Sequence, residues 1–475
     1  MKIRRFLPLT LALAMLLGAC GGTQSNVDTD SHGTDTETSG EPAETGYYDN
    51  IPEDASYNNY EFTVLSYDLG AWNIYITGDE TIGDVLNNAA YRRNLEVEEM
   101  LDITISELLT NNLTYEDLFR QQVLAGDAEF DLCAHFSLGE FSGWIGDNLV
   151  YDWTEIPAID LEAPWYNQSA NEAYSIAGKQ YFAVSDFTYT VQQHSRILFN
   201  KELFDKHQLT YPYEAVFNGE WTFDMMLEYC KDFYQDLNND SVAGLEDQYG
   251  MATSPNFFCI YPESAGEQLA RFEDDEMIFN LYSERIVNII EDINEFYTNP
   301  DILMYGKGGN AQYKVFEEGR ALFETYSSDP ALLRNIEAFD FGYLPYPKYD
   351  DTQEIYYSHT YAGLMSIPNV EQDIERTGVI IEALSAASSK YLVDAFIESY
   401  IEGKILRDDE SIEIYRMLRE NAIYEMPVYI DPTGVVGGYF GTLIQPNAPE
   451  ISSYYASIKE LAETGYEKFF AAIGD

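Results

Sequence analysis

The chain has 475 residues, 82 of them acidic and 26 Lys or Arg, for a formal net charge of −56 at pH 7. That balance excludes nucleic acid and anionic lipid surfaces as partners, since both are held by basic side chains that displace counterions, and it disfavours a strongly anionic solute. An apolar fraction of 45% supports a large globular body, and three isolated body cysteines (Cys133, Cys230, Cys259) allow at most one disulfide and read as small buried hydrophobes. The 39 tyrosines against five tryptophans supply rings with both an apolar face and a hydroxyl, which suit cores and polar-ligand clefts alike.

In chain order, Lys2, Arg4 and Arg5 precede an apolar run from Phe6 to Leu17. That run is too short to span a hydrocarbon core of about 30 Å as a helix and reads as an export signal over residues 1–19. It ends in Leu17-Gly18-Ala19-Cys20, which resembles a bacterial lipobox. Proteins with that signature are cut before the cysteine and lipidated on its thiol, so Cys20 is the expected lipid attachment site. Two or more acyl chains make a stable anchor. Residues 20–56 are rich in Gly, Ser, Thr, Asp and Glu and are expected to form a disordered acidic tether. The membrane is then met through the lipid alone.

The folded body opens with a predicted strand, Tyr60–Ser66. Ile82, Val85, Leu86 and Ala89 follow at i, i+3, i+4 and i+7, the apolar stripe of a helix continuing to Leu101. Ile103–Ile105 reads as a strand. Thr114 opens a helix whose buried side is Leu118, Phe119, Val123 and Leu124 and which Gly126 ends. Phe130–Ala134 is a further strand. Strand, helix, strand, helix, strand is the order of a parallel α/β sheet. Beyond an irregular aromatic region, Gln180–Val184 and Arg196–Phe199 read as strands, and Thr222 caps a helix with Phe223, Met226, Leu227 and Cys230 on one face. Further helices are expected over Ser283–Tyr297, Lys314–Gly319, Asp373–Ser389 and Lys390–Tyr400, with strands at Arg320–Thr325 and near Gly363–Ile367.

Several stretches together resemble one family. They include Phe62-Thr63-Val64-Leu65-Ser66 before a helix carrying Ala90-Tyr91-Arg92-Arg93-Asn94, then Asp152-Trp153-Thr154-Glu155-Ile156-Pro157 and Ala163-Pro164-Trp165-Tyr166. Later come Leu198-Phe199-Asn200-Lys201-Glu202-Leu203-Phe204, Gly219-Glu220-Trp221-Thr222-Phe223-Asp224 and Phe341-Gly342-Tyr343-Leu344-Pro345-Tyr346-Pro347-Lys348. In this order, behind a lipobox, they resemble the family 1 extracellular solute-binding proteins of ABC importers, the carbohydrate-type group. The resemblance implies an α/β fold of the periplasmic-binding-protein type II kind, two lobes with a hinge and an interlobe cleft. Residues 57–188 plus 362–395 would form lobe 1, and 189–361 plus 396–475 lobe 2. It implies a monomer that takes a sugar or oligosaccharide, closes about its hinge and delivers the solute to permease subunits.

The family fixes no binding motif, so candidates follow from position at the carboxyl ends of strands and from chemistry. A sugar needs aromatic platforms and planar polar groups. Asp68 and Trp72 follow the first strand and Phe136 the third. Trp165 and Asp186 flank the Gln180–Val184 run, Tyr326 and Ser327 follow Arg320–Thr325, and Tyr361 sits near a chain crossing. Trp221 opens a helix and reads as packing. In Asp236–Asp247 the residues Asp236, Asn238, Asp240, the Val242 carbonyl and Asp247 alternate as calcium's oxygen ligands do. Ser241 and Asp247 depart from the EF-hand pattern at positions six and twelve, and an acidic surface turn is the alternative to a structural calcium ion. No HExxH, GxSxG or P-loop occurs, and the five histidines show no ligand spacing. The competing functions are a surface glycoside hydrolase, which needs only two carboxylates, and a binding protein coupled to a membrane sensor.

Overall fold

A first strand buried on both faces organises the molecule. The computed structural model describes residues 46–475 apart from 69–72, 112–113, 137–140, 274–275, 306–310, 326–332, 335, 371 and 475. In it, strand β1 (Tyr60–Asp68) sends Phe62 and Val64 into one core and Leu65 and Tyr67 into another, the period-two alternation of a sheet covered on both sides. Strand β2 (Ile103–Asn111) pairs with it in parallel along its whole length, Tyr60 opposite Ile103 and Asp68 opposite Asn111. Strand β3 (Leu132–His135) is parallel on its other edge.

The connecting helices follow their sequence signals. Helix α1 (Val85–Leu101) is capped by Asp84, whose carboxylate accepts the Leu86 and Asn87 amides at 3.0 and 3.1 Å. Ile82 precedes the cap and stays exposed. Helix α2 (Tyr115–Ala125) buries Tyr115, Phe119 and Val123 at i, i+4 and i+8; Leu124 sits off that stripe and is 63% exposed, against expectation. Gly126, at φ +70°, ends the helix in the left-handed conformation that glycine takes without strain.

The second lobe is built on a five-stranded sheet. In chain order the remaining strands of the molecule are β4 (Gln193–His194), β5 (Ile197–Asn200), β6 (Tyr249–Thr253), β7 (Ala270–Glu273), β8 (Glu276–Phe279), β9 (Ile302–Met304), β10 (Ala321–Glu324), β11 (Phe341–Leu344), β12 (Ser358–Tyr361), β13 (Leu364–Ser366) and β14 (Ala422–Ile423). The first sheet has the order β13-β3-β1-β2, with β13 antiparallel. The second has the order β11-β5-β10-β6-β9, in which β10, β6 and β9 are parallel. Between them a small sheet, β14-β12-β4, joins the lobes, with Thr360 opposite His194 and Tyr361 opposite Gln193. The helices Phe223–Cys230, Glu284–Phe296 and Ile374–Ser388 form where expected, each capped by the preceding Thr222, Ser283 or Asp373.

Three expectations are corrected. The Gln180–Val184 run makes a single bridge, Ala183 to Met365. Side chains take the backbone groups a ladder would use: Asp152 accepts the Gln180 amide at 3.0 Å and Asn171 accepts the Val184 amide at 2.8 Å. The expected helix Lys390–Tyr400 is π-helical, in two stretches spanning Ser389–Ile405. A Cβ on Gly403 would fall 2.9 Å from the Glu398 carbonyl five residues earlier. Finally, the end of the expected tether is ordered: Tyr47, Tyr48, Ile51 and Ala55 pack against the lobe 1 core, and the Tyr48 hydroxyl donates to Glu96 at 2.5 Å. Aromatic rings near the strand give these residues apolar surface to bury, which the preceding acidic stretch lacks. Residues 1–45, including Cys20, lie outside the described residues. Among the described residues no helix is long and apolar enough to cross a membrane.

Candidate functional site

The carboxyl ends of the parallel strands in both sheets border the hinge sheet. On the lobe 1 side, Asp68 ends β1 and is exposed, and Phe136 follows β3 and is half-buried. Tyr67, just before Asp68, is buried and stacked on Tyr115 with centroids 4.3 Å apart. On the hinge, Tyr361 at the end of β12 presents its ring edge-on to Phe136, with centroids 6.3 Å apart at 82°. Burial pushes the Tyr361 phenol well above its ordinary value, and Cys259, Glu263, Tyr429 and Tyr346 surround it. On the lobe 2 side, Thr253 at the end of β6 shares a 2.6 Å hydrogen bond with Thr325 beyond β10. Ser254 has a buried hydroxyl without a hydrogen-bond partner, and Tyr305, half-buried, donates its amide to the Thr253 carbonyl at 3.0 Å. Phe136 and Tyr361 thus meet across the hinge; Trp72, Tyr326 and Ser327 lie outside the described residues.

Two candidates stand elsewhere. Trp165 is packed in the lobe 1 core at 4% exposure, and its carbonyl accepts the Asp186 amide at 2.9 Å. Asp186 faces the π-helical segment, beside Ser389, Arg419 and Asp394; burial raises its pKa to about 7. His135 is also structural. It lies among Tyr115, Phe141 and Trp144, binds Ser366 Oγ at 2.8 Å, and burial lowers its pKa to about 3. Trp221 is fully buried and donates to the Pro345 carbonyl at 3.0 Å.

Sequence reasoning missed a segment that joins the lobes, Tyr424–Ile430. The Phe141 amide donates to the Tyr429 carbonyl at 3.0 Å, Asn167 Nδ2 donates to the Tyr424 hydroxyl at 2.8 Å, and the Tyr429 hydroxyl accepts the Ala362 amide at 3.1 Å. Tyr174 adds an edge-on contact to Tyr429 at 5.1 Å. Beside this segment a cavity of about 300 Å³ opens between Ser169 and Glu172 of lobe 1 and Gln268, Arg271 and Tyr424. Its residues carry no local pattern, and only their pairing across the fold gives them meaning.

The Asp236–Asp247 loop is organised by its own amides. Asp236 accepts Asn239 and Ser241 at 2.7 and 2.9 Å, and Asp240 accepts Val242 at 2.8 Å. Asp247 is fully buried and accepts Leu237 and Gly244 at 3.1 and 3.0 Å. Among the described residues no group of three or more His, Cys, Asp or Glu side chains converges as a metal shell would. The aspartates expected as calcium ligands thus accept backbone amides of their own loop.

No protein-family model matches the chain, and neither does any functionally curated protein. Solved structures do. The ABC substrate-binding protein Lmo0181 from Listeria monocytogenes, in complex with cycloalternan, superposes with a TM-score of 0.55 at 15% identity, covering 86% of this chain and 99% of the other. The GacH receptor of Streptomyces glaucescens, solved unliganded and with acarbose, gives 0.54 at 13% identity over 88% and 97%. The maltose-binding protein MalE from Listeria monocytogenes, with maltose, gives 0.55 at 12% identity over 87% and 99%. The two sheets, the hinge sheet between them and these likenesses over most of the chain give it the two-lobed, periplasmic-binding-protein-like α/β fold of the ABC sugar-binding proteins.

Proposed function

We propose that the chain is the extracytoplasmic solute-binding component of an ABC importer, non-enzymatic, holding a sugar or oligosaccharide between its lobes and passing it to a permease. The observation that carries this reading is the meeting of Phe136 and Tyr361 across the hinge, at strand ends that also offer Asp68, Ser254 and Thr325. Aromatic faces suit the C–H surfaces of a sugar, and hydroxyl and carboxylate groups suit its hydroxyls. A site that pairs hydroxyls rejects ligands lacking them, because its own polar groups are then stranded. The sugars bound by the similar structures, cycloalternan, acarbose and maltose, support the same class. Attachment through lipidated Cys20 completes the reading and places the protein at the outer face of the membrane.

The test is thermal unfolding of the purified full chain against mono- and oligosaccharides, with amino acids and peptides as controls. A ligand at a hundredfold excess over its Kd stabilises the fold by about 2.7 kcal/mol. A shift with one sugar class and no cleavage product is the expected result. A shift only with amino acids or peptides overturns the sugar assignment, and turnover overturns the binding assignment in favour of a hydrolase. Incorporation of labelled palmitate, abolished by Cys20→Ser, tests the anchor.

A further inference from the structure

Among the apolar residues that α1 buries stand three polar ones, Asn87, Arg93 and Asn94, and the solute-capture reading uses none of them. All three grip one stretch of chain, residues 73–79, which follows the carboxyl end of β1. Asn87 Nδ2 donates to the Asp79 carbonyl at 2.7 Å, and its Oδ1 accepts the Asp79 amide at 2.9 Å. Arg93 Nη2 donates to the Tyr75 and Ile76 carbonyls at 2.8 and 2.6 Å, and Asn94 Nδ2 donates to the Ile76 carbonyl at 3.0 Å. Arg93 Nε donates to Asn94 Oδ1 at 2.8 Å and so orients that amide. The stretch lies so close to the helix that a Cβ on Gly78 would overlap the Tyr91 amide nitrogen and the Asn87 carbonyl.

This grip imposes a shape. Tyr75 has φ +55°, a left-handed conformation that a bulky side chain rarely takes and that persists only where its surroundings over-determine it. On either side of it Ile74 and Ile76 are buried in the lobe 1 core, while Asn73 and Thr77 are exposed. Arg93 is fully buried. Its hydrogen bonds go to two carbonyls and one amide oxygen, none to a carboxylate, and its Nη1 has no partner. A cation taken out of water on such terms is costly to the fold, so filling the core is a poor reason for it. The guanidinium also lies 4.8 Å from the ring centroid of Phe187, in the 3-10 helix Asp186–Val191 that leads into hinge strand β4. From the same helix Thr190 Oγ1 donates to the Asn73 carbonyl at 2.7 Å. We propose that Arg93 is a positioning residue for solute capture, which fixes residues 73–76 in shape at the end of β1 while Thr190 ties that shape to the hinge. The pinning rests on the geometry alone; its use in capture rests on the solute-binding reading. Loops at the carboxyl ends of parallel strands are where open α/β sheets take ligands, and a loop already in shape need not be ordered by the solute. Once unpinned, the loop raises the apparent Kd by the inverse of the fraction of time it spends in shape. An arginine that only filled the core would alter stability and leave affinity alone.

The experiment compares Arg93→Lys and Thr190→Val with the wild-type full chain. Lysine keeps the charge but lacks the planar fork that spans the two carbonyls and the Asn94 amide; valine removes one hydroxyl bond at the protein surface. The first readout is amide hydrogen exchange over residues 73–79 without sugar, which should quicken about tenfold in Arg93→Lys and less in Thr190→Val. Unchanged exchange overturns the pinning. The second readout is Kd for the saccharide that most stabilises the wild type. It should rise about tenfold in Arg93→Lys and about two- to fivefold in Thr190→Val. Ile289→Val, in the buried face of the lobe 2 helix Glu284–Phe296, loses stability through a core vacancy and should leave Kd unchanged. Equal Kd in all four proteins, or a rise in Ile289→Val in proportion to its lost stability, overturns the role in capture. Should Arg93→Lys fail to fold, Thr190→Val decides by the same two readouts. If only an amino acid or peptide binds the wild type, the sugar reading fails and the Kd comparison is made with that ligand. If nothing binds, the solute reading fails and the role in capture with it, while the sugar-free exchange still judges the pinning.

Discussion

Substituting Gly363 by alanine puts the hinge packing to a quantitative test. Gly363 lies between β12 and β13, where the chain passes back into lobe 1. A Cβ there would sit 2.6 Å from Val191 Cγ2, 2.8 Å from Thr188 Cβ and 3.1 Å from the Thr188 carbonyl oxygen. All three are well inside van der Waals contact, and two are not flexible side-chain ends. Thr188 Oγ1 also donates to the Gly363 carbonyl at 2.7 Å, so the clash strains a bond that ties the two crossings together. Overpacking of this kind costs about 1–3 kcal/mol. The lower backbone entropy of unfolded alanine offsets about 0.4–1 kcal/mol, leaving a net loss of up to about 2.6 kcal/mol, while the control, which has no clash, should gain that entropy term. Gly143→Ala serves as the control, because a Cβ there meets nothing within 4 Å inside the helix Ser142–Gly146. Chemical denaturation of the two variants and the wild type gives the comparison. If Gly363→Ala matches Gly143→Ala within about 0.5 kcal/mol, the close approach at the hinge does not constrain the fold and the reasoning fails.

Three further outcomes follow from the same geometry. Asp247→Ala strands the Leu237 and Gly244 amides and should cost about 2–4 kcal/mol, while calcium or a chelator leaves the wild-type Tm unchanged; a calcium-dependent Tm would establish the metal reading of this loop. Asp186 keeps, folded, a proton that it loses when unfolded, since burial raises its pKa to about 7 from an ordinary 3.8. Stability is then complete below about pH 4 and lost as pH rises towards about 7, so the Tm advantage of Asp186→Asn should widen across that window, and a constant difference would refute it. Tyr48→Phe removes the hydrogen bond to Glu96 and should cost about 1 kcal/mol and open residues 46–56 to proteolysis; unchanged cleavage there would show that the strap is not held by that contact.

The parallel sheet was legible because β1, α1, β2, α2 and β3 obey local rules, a two-residue or 3.6-residue apolar period bounded by a cap or a glycine. Local rules failed where side chains far away in sequence decided the backbone. Gln180–Val184 has a strand's composition, yet Asp152 and Asn171 claim its amides. The stretch after Ser388 has a helix's composition, and nothing in its residues marks the π-helical pitch. Acidic composition predicted disorder to residue 56, but Tyr47 and Tyr48 dock on the lobe 1 core. Of the site candidates, Phe136 and Tyr361 meet because each ends a strand that points at the hinge. Trp165 shows the weakness of aromatic identity as a signal, since the same indole serves a core or a cleft and only burial separates them. Tyr424 and Tyr429 were invisible for the converse reason: they act by meeting Asn167, Phe141 and Ala362, which stand between 67 and 288 residues away in the chain.

Buried ionisable groups gather on both sides of the hinge, Asp186 against the π-helical segment and Glu263 and His359 beside Tyr361. The lobe cores rest mainly on apolar packing, with polar groups such as Arg93, His135 and Glu324 fully buried among it. The difference in balance has a physical reason. An apolar core has one best packing, and any displacement opens cavities that destabilise it, so it resists having two arrangements. Polar groups with incomplete partners lose less when they move, because water or a ligand can satisfy them in the alternative state. A hinge must be able to adopt two states of similar energy, and buried polar atoms without a hydrogen-bond partner, such as His359 Nε2 and Gln193 Nε2, keep either arrangement from becoming too stable to leave. Replacing them with apolar groups of the same volume would stabilise one state at the expense of the other.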